Sequence, residues 1–184
     1  YNINNNTIAI VGSAPSFSHG IIDPLEKMAS IAYNSNIPMH VDACLGGFLL
    51  PFIENKNFKY DFELPGVTSI SADTHKYGYA PKGSSIILYR NETYFKKQIF
   101  VEEDWNGGIY ATPTIMGSKS GNNIVLTWAT LKYYGFKGYQ ERANKILNTT
   151  QIIVERLKQI RDIYILGNPQ VNVIGINSKN LNIY

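Results

Sequence analysis

Two short apolar runs joined by a helical stretch constrain the fold more than any other feature of this chain. Thr7-Ile-Ala-Ile-Val11 is closed by Gly-Ser-Ala-Pro and reads as a buried strand. Asp23-Pro24 then opens a helix. Asp is a favoured N-cap, Pro is favoured at the first helical position, and Glu26 completes a capping-box pattern. Leu25, Met28, Ala29 and Ala32 keep helical spacing, and Asn34-Ser-Asn36 with Pro38 ends the helix. Met39 to Asp42 is the next strand. Strand, helix and strand in this order form a βαβ unit, which implies parallel strands and a right-handed crossover. The expected class is α/β, with a mostly parallel sheet flanked by helices.

Further along, Leu45 to Glu54 is an apolar connection ending in a helical turn, and Asn55 to Leu64 reads as an exposed insertion. Val67 to Ala72 and Ser84 to Tyr89 are strands. The turn Ala80-Pro-Lys-Gly83 between them predicts that the second runs antiparallel to the first. Ile99 to Gly121 shows no clear period and suits an active-site or interface loop. Ile124 to Tyr134 is helical. Gly138 to Gln159 is a longer helix, with Ala143, Ile146, Leu147, Ile153, Leu157 and Ile160 on one face. Ile163 to Leu166 and Val171 to Ile176 read as two more strands, and Leu181 to Tyr184 ends the chain just after them.

Composition narrows the function. The 184 residues are 44% hydrophobic and 17% charged, which describes a globular chain. A net charge of +3, scattered along the sequence, gives no footprint for nucleic acid. One cysteine excludes an intramolecular disulfide. The apolar stretches fall short of the ~18 residues needed to span a bilayer, and no signal-peptide pattern opens the chain.

In open α/β sheets ligands gather at the carboxyl ends of strands. Ser13, Asp42 and the pair His75-Lys76 all follow predicted strands, so they should converge. Taken singly, a strand-end Lys is most often a solvated charge and a strand-end Asp a turn former. Together a lysine and an aspartate meet the needs of pyridoxal 5'-phosphate. The amine forms a Schiff base with the cofactor aldehyde, and the carboxylate keeps the ring nitrogen protonated. Lys76 must then be neutral to react, which a partly desolvated pocket with other cations nearby would favour.

The strings His40-Val-Asp-Ala-Cys-Leu-Gly-Gly47 and Asp73-Thr-His-Lys-Tyr-Gly-Tyr-Ala-Pro-Lys-Gly-Ser-Ser85 carry a resemblance to a known family. With Gly12-Ser-Ala-Pro15, Asp104-Trp-Asn-Gly-Gly-Ile-Tyr110 and Pro113-Thr-Ile-Met-Gly-Ser118, they resemble the pyridoxal phosphate-dependent group II decarboxylase superfamily. The wording is closest to its sphingosine-1-phosphate lyase branch. The resemblance implies a fold of the aspartate aminotransferase type (fold type I). It implies that residues 1–150 are the second half of a cofactor domain and 151–184 the start of a small C-terminal domain of a longer protein. It also implies roles. Lys76 is the Schiff-base lysine and Asp42 the pyridinium partner. His75 lies near the cofactor phosphate or substrate, or orients Lys76, and Cys44 packs under the ring.

Ser13 and Ser16 follow the first strand, where a hydroxyl would bond the cofactor or substrate; local turn chemistry is the alternative for both. Ser118 would reach the cofactor phosphate of the neighbouring subunit of a homodimer. Lys82 would grip a substrate phosphate, although as a bare residue it is a solvated turn charge. His19 and Tyr110 are weaker candidates. His40 is assigned to the strand face opposite Asp42, with a structural role. No metal is expected. The implied reaction is retro-aldol cleavage of a phosphorylated sphingoid base to a long-chain aldehyde and phosphoethanolamine. The competing expectations are an amino-acid decarboxylase and a catalytically inactive interaction subunit. By the same resemblance, the full-length protein would be anchored in the endoplasmic reticulum membrane.

Overall fold

The computed structural model describes residues 3–54 and 56–180. Four strands form the central sheet in the order β1 (Ile10–Ser13), β2 (Met39–Asp42), β3 (Val67–Ala72) and β4 (Ile86–Tyr89). β1, β2 and β3 are parallel, and β4 is antiparallel to β3, as the turn at 80–83 predicts. β1 is shorter and wetter than expected. Ile8 and Val11 are 86% and 61% exposed, because β1 is an edge of this sheet and only one of its faces meets a helix.

That helix is α1 (Leu25–Asn34), which fills the crossover. Leu25, Ala29 and Ala32 are buried with Met39, Val41, Val67 and Ile70 of the strands. The expected cap does not form. Pro24 holds the N-cap place and no side chain caps the helix. The Asp23 carboxylate instead accepts a hydrogen bond from the Ser13 backbone amide at 2.7 Å, and the Asp23 amide donates to the Ser13 carbonyl at 3.0 Å. Asp23 thus closes the open end of an edge strand, where an unpaired amide is costly, rather than the helix.

Two 3-10 turns, Gly46–Phe48 and Leu50–Phe52, follow β2 and bury Leu49 and Leu50. The segment expected to be an exposed insertion is largely docked. Tyr60 and Leu64 are buried, and Phe58 and Phe62 pack on the core; Asn55 lies outside the described residues. Arg90 fastens this segment: its guanidinium donates to the carbonyls of Phe62, Leu64 and Val67 at 2.6–3.0 Å.

The unpatterned stretch after β4 contains a short helix and a hairpin. Helix α2 (Glu92–Lys96) is capped by the Asn91 side chain, which accepts from the Tyr94 amide. β5 (Phe100–Glu102) and β6 (Tyr110–Thr112) then pair antiparallel. Helix α3 runs from Gly121 to Lys158 with a break at Gly135, at φ 57 and ψ −178, so two helices stand where two were expected. The predicted apolar stripe is only partly covered. Ala143 is buried, whereas Ile153 and Ile160 are 44% and 48% exposed. The helix passes through residue 150 without interruption. β7 (Ile163–Ile165) pairs with β8 (Ile176–Ser178). The second strand therefore starts later than expected, and Val171 is buried in the core instead. Residues 181–184 lie outside the described residues. Among the described residues no helix is long and apolar enough to cross a membrane.

Candidate active site

The parallel register sets the ends of three strands side by side. Ser13 is opposite Asp42, and Asp42 is opposite Ser71. Asp42 Oδ1 accepts from the Cys44 amide at 3.0 Å and from the Ser71 hydroxyl at 3.3 Å. Burial pushes its pKa up, but the bonds from Cys44 and Ser71 and the nearby His40 outweigh this and hold it below the usual value. Asp42 is therefore ionised at neutral pH.

His40 shares this network, which corrects its expected face. Residues two apart in a strand point the same way. Its Nε2 is 3.2 Å from Ser71 Oγ and its Nδ1 is 2.8 Å from Ser69 Oγ. Burial lowers the His40 pKa against the pull of Asp42, so His40 is neutral near pH 7.

Lys76 lies in the tight turn after β3. The Asp73 amide donates to the Cys44 carbonyl at 3.1 Å, the Lys76 amide to Asp73 O at 3.4 Å and the Ala80 amide to Thr74 O at 3.0 Å. Gly78 is required here, since a Cβ would stand 2.3 Å from the Thr74 carbonyl oxygen. Four contacts brace the turn. The Thr74 hydroxyl donates to the Ser84 carbonyl, and the Ser84 hydroxyl reaches Thr127 of α3 at 3.0 Å. The Tyr139 hydroxyl donates to the Gly78 carbonyl at 2.7 Å. The Asn172 side-chain amide donates to the Tyr77 hydroxyl. The amine is thus presented from a turn anchored on the segment leading into β4, on both halves of α3 and on the segment before β8.

The surroundings of the amine differ from expectation. Among the described residues no cation acts on the amine; Cys44 and Asp73 do. Lys76 Nζ is 3.0 Å from Asp73 Oδ2 and 3.0 Å from Cys44 Sγ. Burial lowers its pKa, but Cys44 and Asp73 outweigh that and raise it above the ordinary lysine value. Burial also raises the Cys44 thiol pKa, so the thiol is neutral at pH 7 and a weak acceptor. The carboxylate is the charge that matters. Cys44 stands between the two key groups, bonding Asp42 through its amide and Lys76 through its sulfur.

The other candidates divide into two sets. His75 is next to the cluster, with Nδ1 3.4 Å from the Ser84 carbonyl and Nε2 3.9 Å from Asp73 Oδ2. Ser13 is level with Asp42. Ser16 and His19 form a separate exposed group through Ser18, whose hydroxyl is 2.7 Å from His19 Nδ1. Lys82 is exposed in the turn before β4, and Ser118 and Tyr110 are exposed on the segment from β6 to α3. Among the described residues none of these three shares a hydrogen bond with the Lys76 cluster. Sequence reasoning missed Asp73, Ser71, Thr74 and Ser84 as supports. Ser71 was detectable, since it lies at the end of β3 like the candidates themselves. The others depend on where the turn folds back.

Known proteins place this arrangement in context. The model of the pyridoxal-dependent decarboxylase conserved domain matches residues 4–178. A sphingosine-1-phosphate lyase 1 of Rattus norvegicus is 50% identical over 186 residues, covering 99% of this chain and 33% of that protein. The solved sphingosine-1-phosphate lyase of Burkholderia pseudomallei K96243 superposes with a TM-score of 0.87 at 40% identity, over 96% of this chain and 41% of that one. The glutamate decarboxylase of Lactobacillus brevis superposes with a TM-score of 0.78 at 28% identity, over 92% and 40%. The chain spans about a third of the length of the curated relative it matches.

Proposed function

This chain belongs to the pyridoxal-dependent decarboxylase family, and from that premise we propose that the whole protein is a pyridoxal phosphate-dependent carbon–carbon lyase acting on a phosphorylated sphingoid base. The observation that carries the cofactor reading is the pair of opposite strand-end groups joined through Cys44. A primary amine ends β3, and a carboxylate held ionised ends β2. These are the two groups that pyridoxal phosphate requires at its aldehyde and at its ring nitrogen, so the residues fit the cofactor. The substrate reading rests on likeness to the lyases, at 50% and 40% identity, against 28% for the glutamate decarboxylase.

When bound, the cofactor supplies the electron sink that lets the C2–C3 bond of an amino alcohol break. The protein's residues do the rest. Asp42, fixed by Cys44 and Ser71, holds the proton on the ring nitrogen. Lys76 would hold the cofactor through its amine and, as a free amine, would be able to accept or give a proton. His75 orients this turn through Ser84 and faces the same edge. Lys82, on an exposed turn six residues beyond Lys76, binds the substrate phosphate. The products are a long-chain aldehyde and phosphoethanolamine. An amino-acid decarboxylase on the same fold is the second reading, supported by the family's description.

The proposal extends to the assembly. Ser118 completes a partner's site in a homodimer, residues 151–184 open a small C-terminal domain, and the full-length protein works at the endoplasmic reticulum membrane. The likeness to the lyases supports these, and the fold of residues 3–180 is compatible with them. The test uses the full-length protein. Borohydride treatment with pyridoxal phosphate followed by peptide mapping should leave a pyridoxyl group on Lys76. Incubation with a phosphorylated sphingoid base should release an aldehyde. A label on Lys82 alone would end the cofactor assignment. Carbon dioxide from amino acids, with no aldehyde from the phosphorylated base, would move the protein to the decarboxylase reading.

A further inference from the structure

Two aspartates stand at this sheet edge, and they do different work. Asp42 bonds Cys44 and Ser71 and makes no ion pair with Lys76. The amine is taken instead by Asp73, three residues before it in the same turn, at 3.0 Å. Asp73 is itself fixed on its other oxygen, where Ser85 donates to Oδ1 at 2.6 Å. Its backbone amide is tied to Cys44 O at 3.1 Å, and its carbonyl accepts the Lys76 amide. An aspartate held at three points, one on its carboxylate and two on its backbone, beside a flexible four-carbon side chain is a fixed receiver for a moving cation.

We propose that Asp73 is the positioning residue that receives the Lys76 amine, as an ammonium ion, whenever that amine is not joined to the cofactor. The inference rests on the reading of Lys76 as the cofactor lysine. It assigns a role to a position that the sequence pattern left unassigned.

The charge logic is local. The groups facing the amine are Asp73 and Cys44. His75 stands behind Asp73, and Asp42 lies beyond Cys44, whose backbone amide bonds it. Cys44 is neutral, and His75 Nε2 is 3.9 Å from Asp73 Oδ2, the oxygen that also meets the amine, so Lys76 at 3.0 Å is the nearer partner. The Lys76 and Asp73 side chains are 32% and 17% exposed, so the pair is wet enough to exchange partners and dry enough to be more than a screened surface contact. The ion pair opposes capture of the cofactor aldehyde, which needs the free base. It would also give the amine a defined resting place when it is not joined to the cofactor.

The test compares wild type, Asp73→Asn and Asp73→Glu in the full-length protein. The first readout needs no cofactor: competitive acetylation of lysines across pH, quantified for the Lys76 peptide by mass spectrometry. In wild type the Lys76 midpoint should lie above those of exposed lysines in the same digest. Asp73→Asn should move it to lower pH, so that Lys76 is labelled several-fold faster below the midpoint, and Asp73→Glu should move it back. The second readout is the pH dependence of pyridoxal phosphate capture, followed by absorbance, which should shift with the acetylation midpoint. A wild-type Lys76 midpoint at or below the other lysines overturns the proposal, whether or not the variants fold. An Asn variant that folds but keeps the wild-type profile does the same. Failure of the wild type to take up cofactor on Lys76 would instead overturn the cofactor reading, with the acetylation result still deciding whether Asp73 holds the amine.

Discussion

At the scale of single residues the site is set by which oxygen meets which donor. Asp42 is held ionised by bonds that the neutral acid could not accept as well. Its pKa in the folded chain is therefore below its unfolded value of about 3.9. The sign follows: its contribution to stability is complete above that unfolded value and is lost as pH falls through the lower folded value. Asp42→Asn should flatten the acid limb of a stability–pH curve below about pH 4, measured by urea unfolding of the full-length protein. The same variant should keep cofactor on Lys76 yet lose most turnover, because an amide cannot hold the ring-nitrogen proton. Near wild-type turnover would reduce Asp42 to a turn former. Lys82 belongs to this scale too. A charge-assisted contact to phosphate is worth roughly 1.5–3 kcal/mol. Lys82→Ala should therefore lower kcat/KM for a phosphorylated base by about ten- to a hundredfold, while borohydride labelling of Lys76 stays intact.

At the scale of elements, the break in α3 explains how one helical run serves two purposes. Before Gly135 the helix supplies Thr127 to the back of the Lys76 turn. After it, Phe136 meets Phe52 edge-on at 5.3 Å and Tyr139 stacks on Phe52 at 5.0 Å, and Tyr139 also bonds Gly78. A straight helix could not place both. The conformation at Gly135, φ 57 and ψ −178, is almost exclusive to glycine. A Cβ there would meet nothing within 4 Å, so only backbone strain opposes a substitution. Gly135→Ala should destabilise by about 1–3 kcal/mol in denaturant unfolding. It should also weaken cofactor retention, since Tyr139 would lose its approach to Gly78. A change within ~0.5 kcal/mol, the range of ordinary surface substitutions, would show that the break does not depend on residue 135.

At the scale of the whole molecule, the segment joining the β5–β6 hairpin to α3 shares no hydrogen bond with the Lys76 cluster among the described residues. It is strongly exposed, with Ile115 at 107% and Met116 at 66%, and Trp105 in the hairpin loop is 58% exposed. Residues Pro113 to Met116, with Phe100 and Tyr110, line a hollow of about 790 Å³. A shared site would use this segment through Ser118. Mixing full-length Lys76→Ala chains with Ser118→Tyr chains, each inactive alone, should restore part of the activity as hybrid dimers form. Hybrid dimers with no recovered activity would remove Ser118 from the catalytic site.

The sequence by itself determined the parallel βαβ unit, the antiparallel return of β4 and the convergence of Asp42, His75 and Lys76. All three depend on local periodicity, and strand ends in a parallel sheet have one common edge. It also determined the separation of the two α3 halves, because a glycine interrupts the helical pattern. Only the tertiary structure decided the rest, because those features depend on contacts between residues far apart in sequence. Asp23 turned from a helix cap to an edge-strand amide ten residues away. Tyr60 and Leu64 were buried beneath an Arg90 clamp that no local pattern announces. His40 and Asp42 share a face by strand alternation alone, but that both meet Ser71, thirty-one and twenty-nine residues away, was decided by the register of β2 on β3. The partner of Lys76 was decided the same way. Asp73 is close in sequence, but whether its carboxylate turns to the amine depends on Ser85 and Cys44, which reach it from just before β4 and from just after β2.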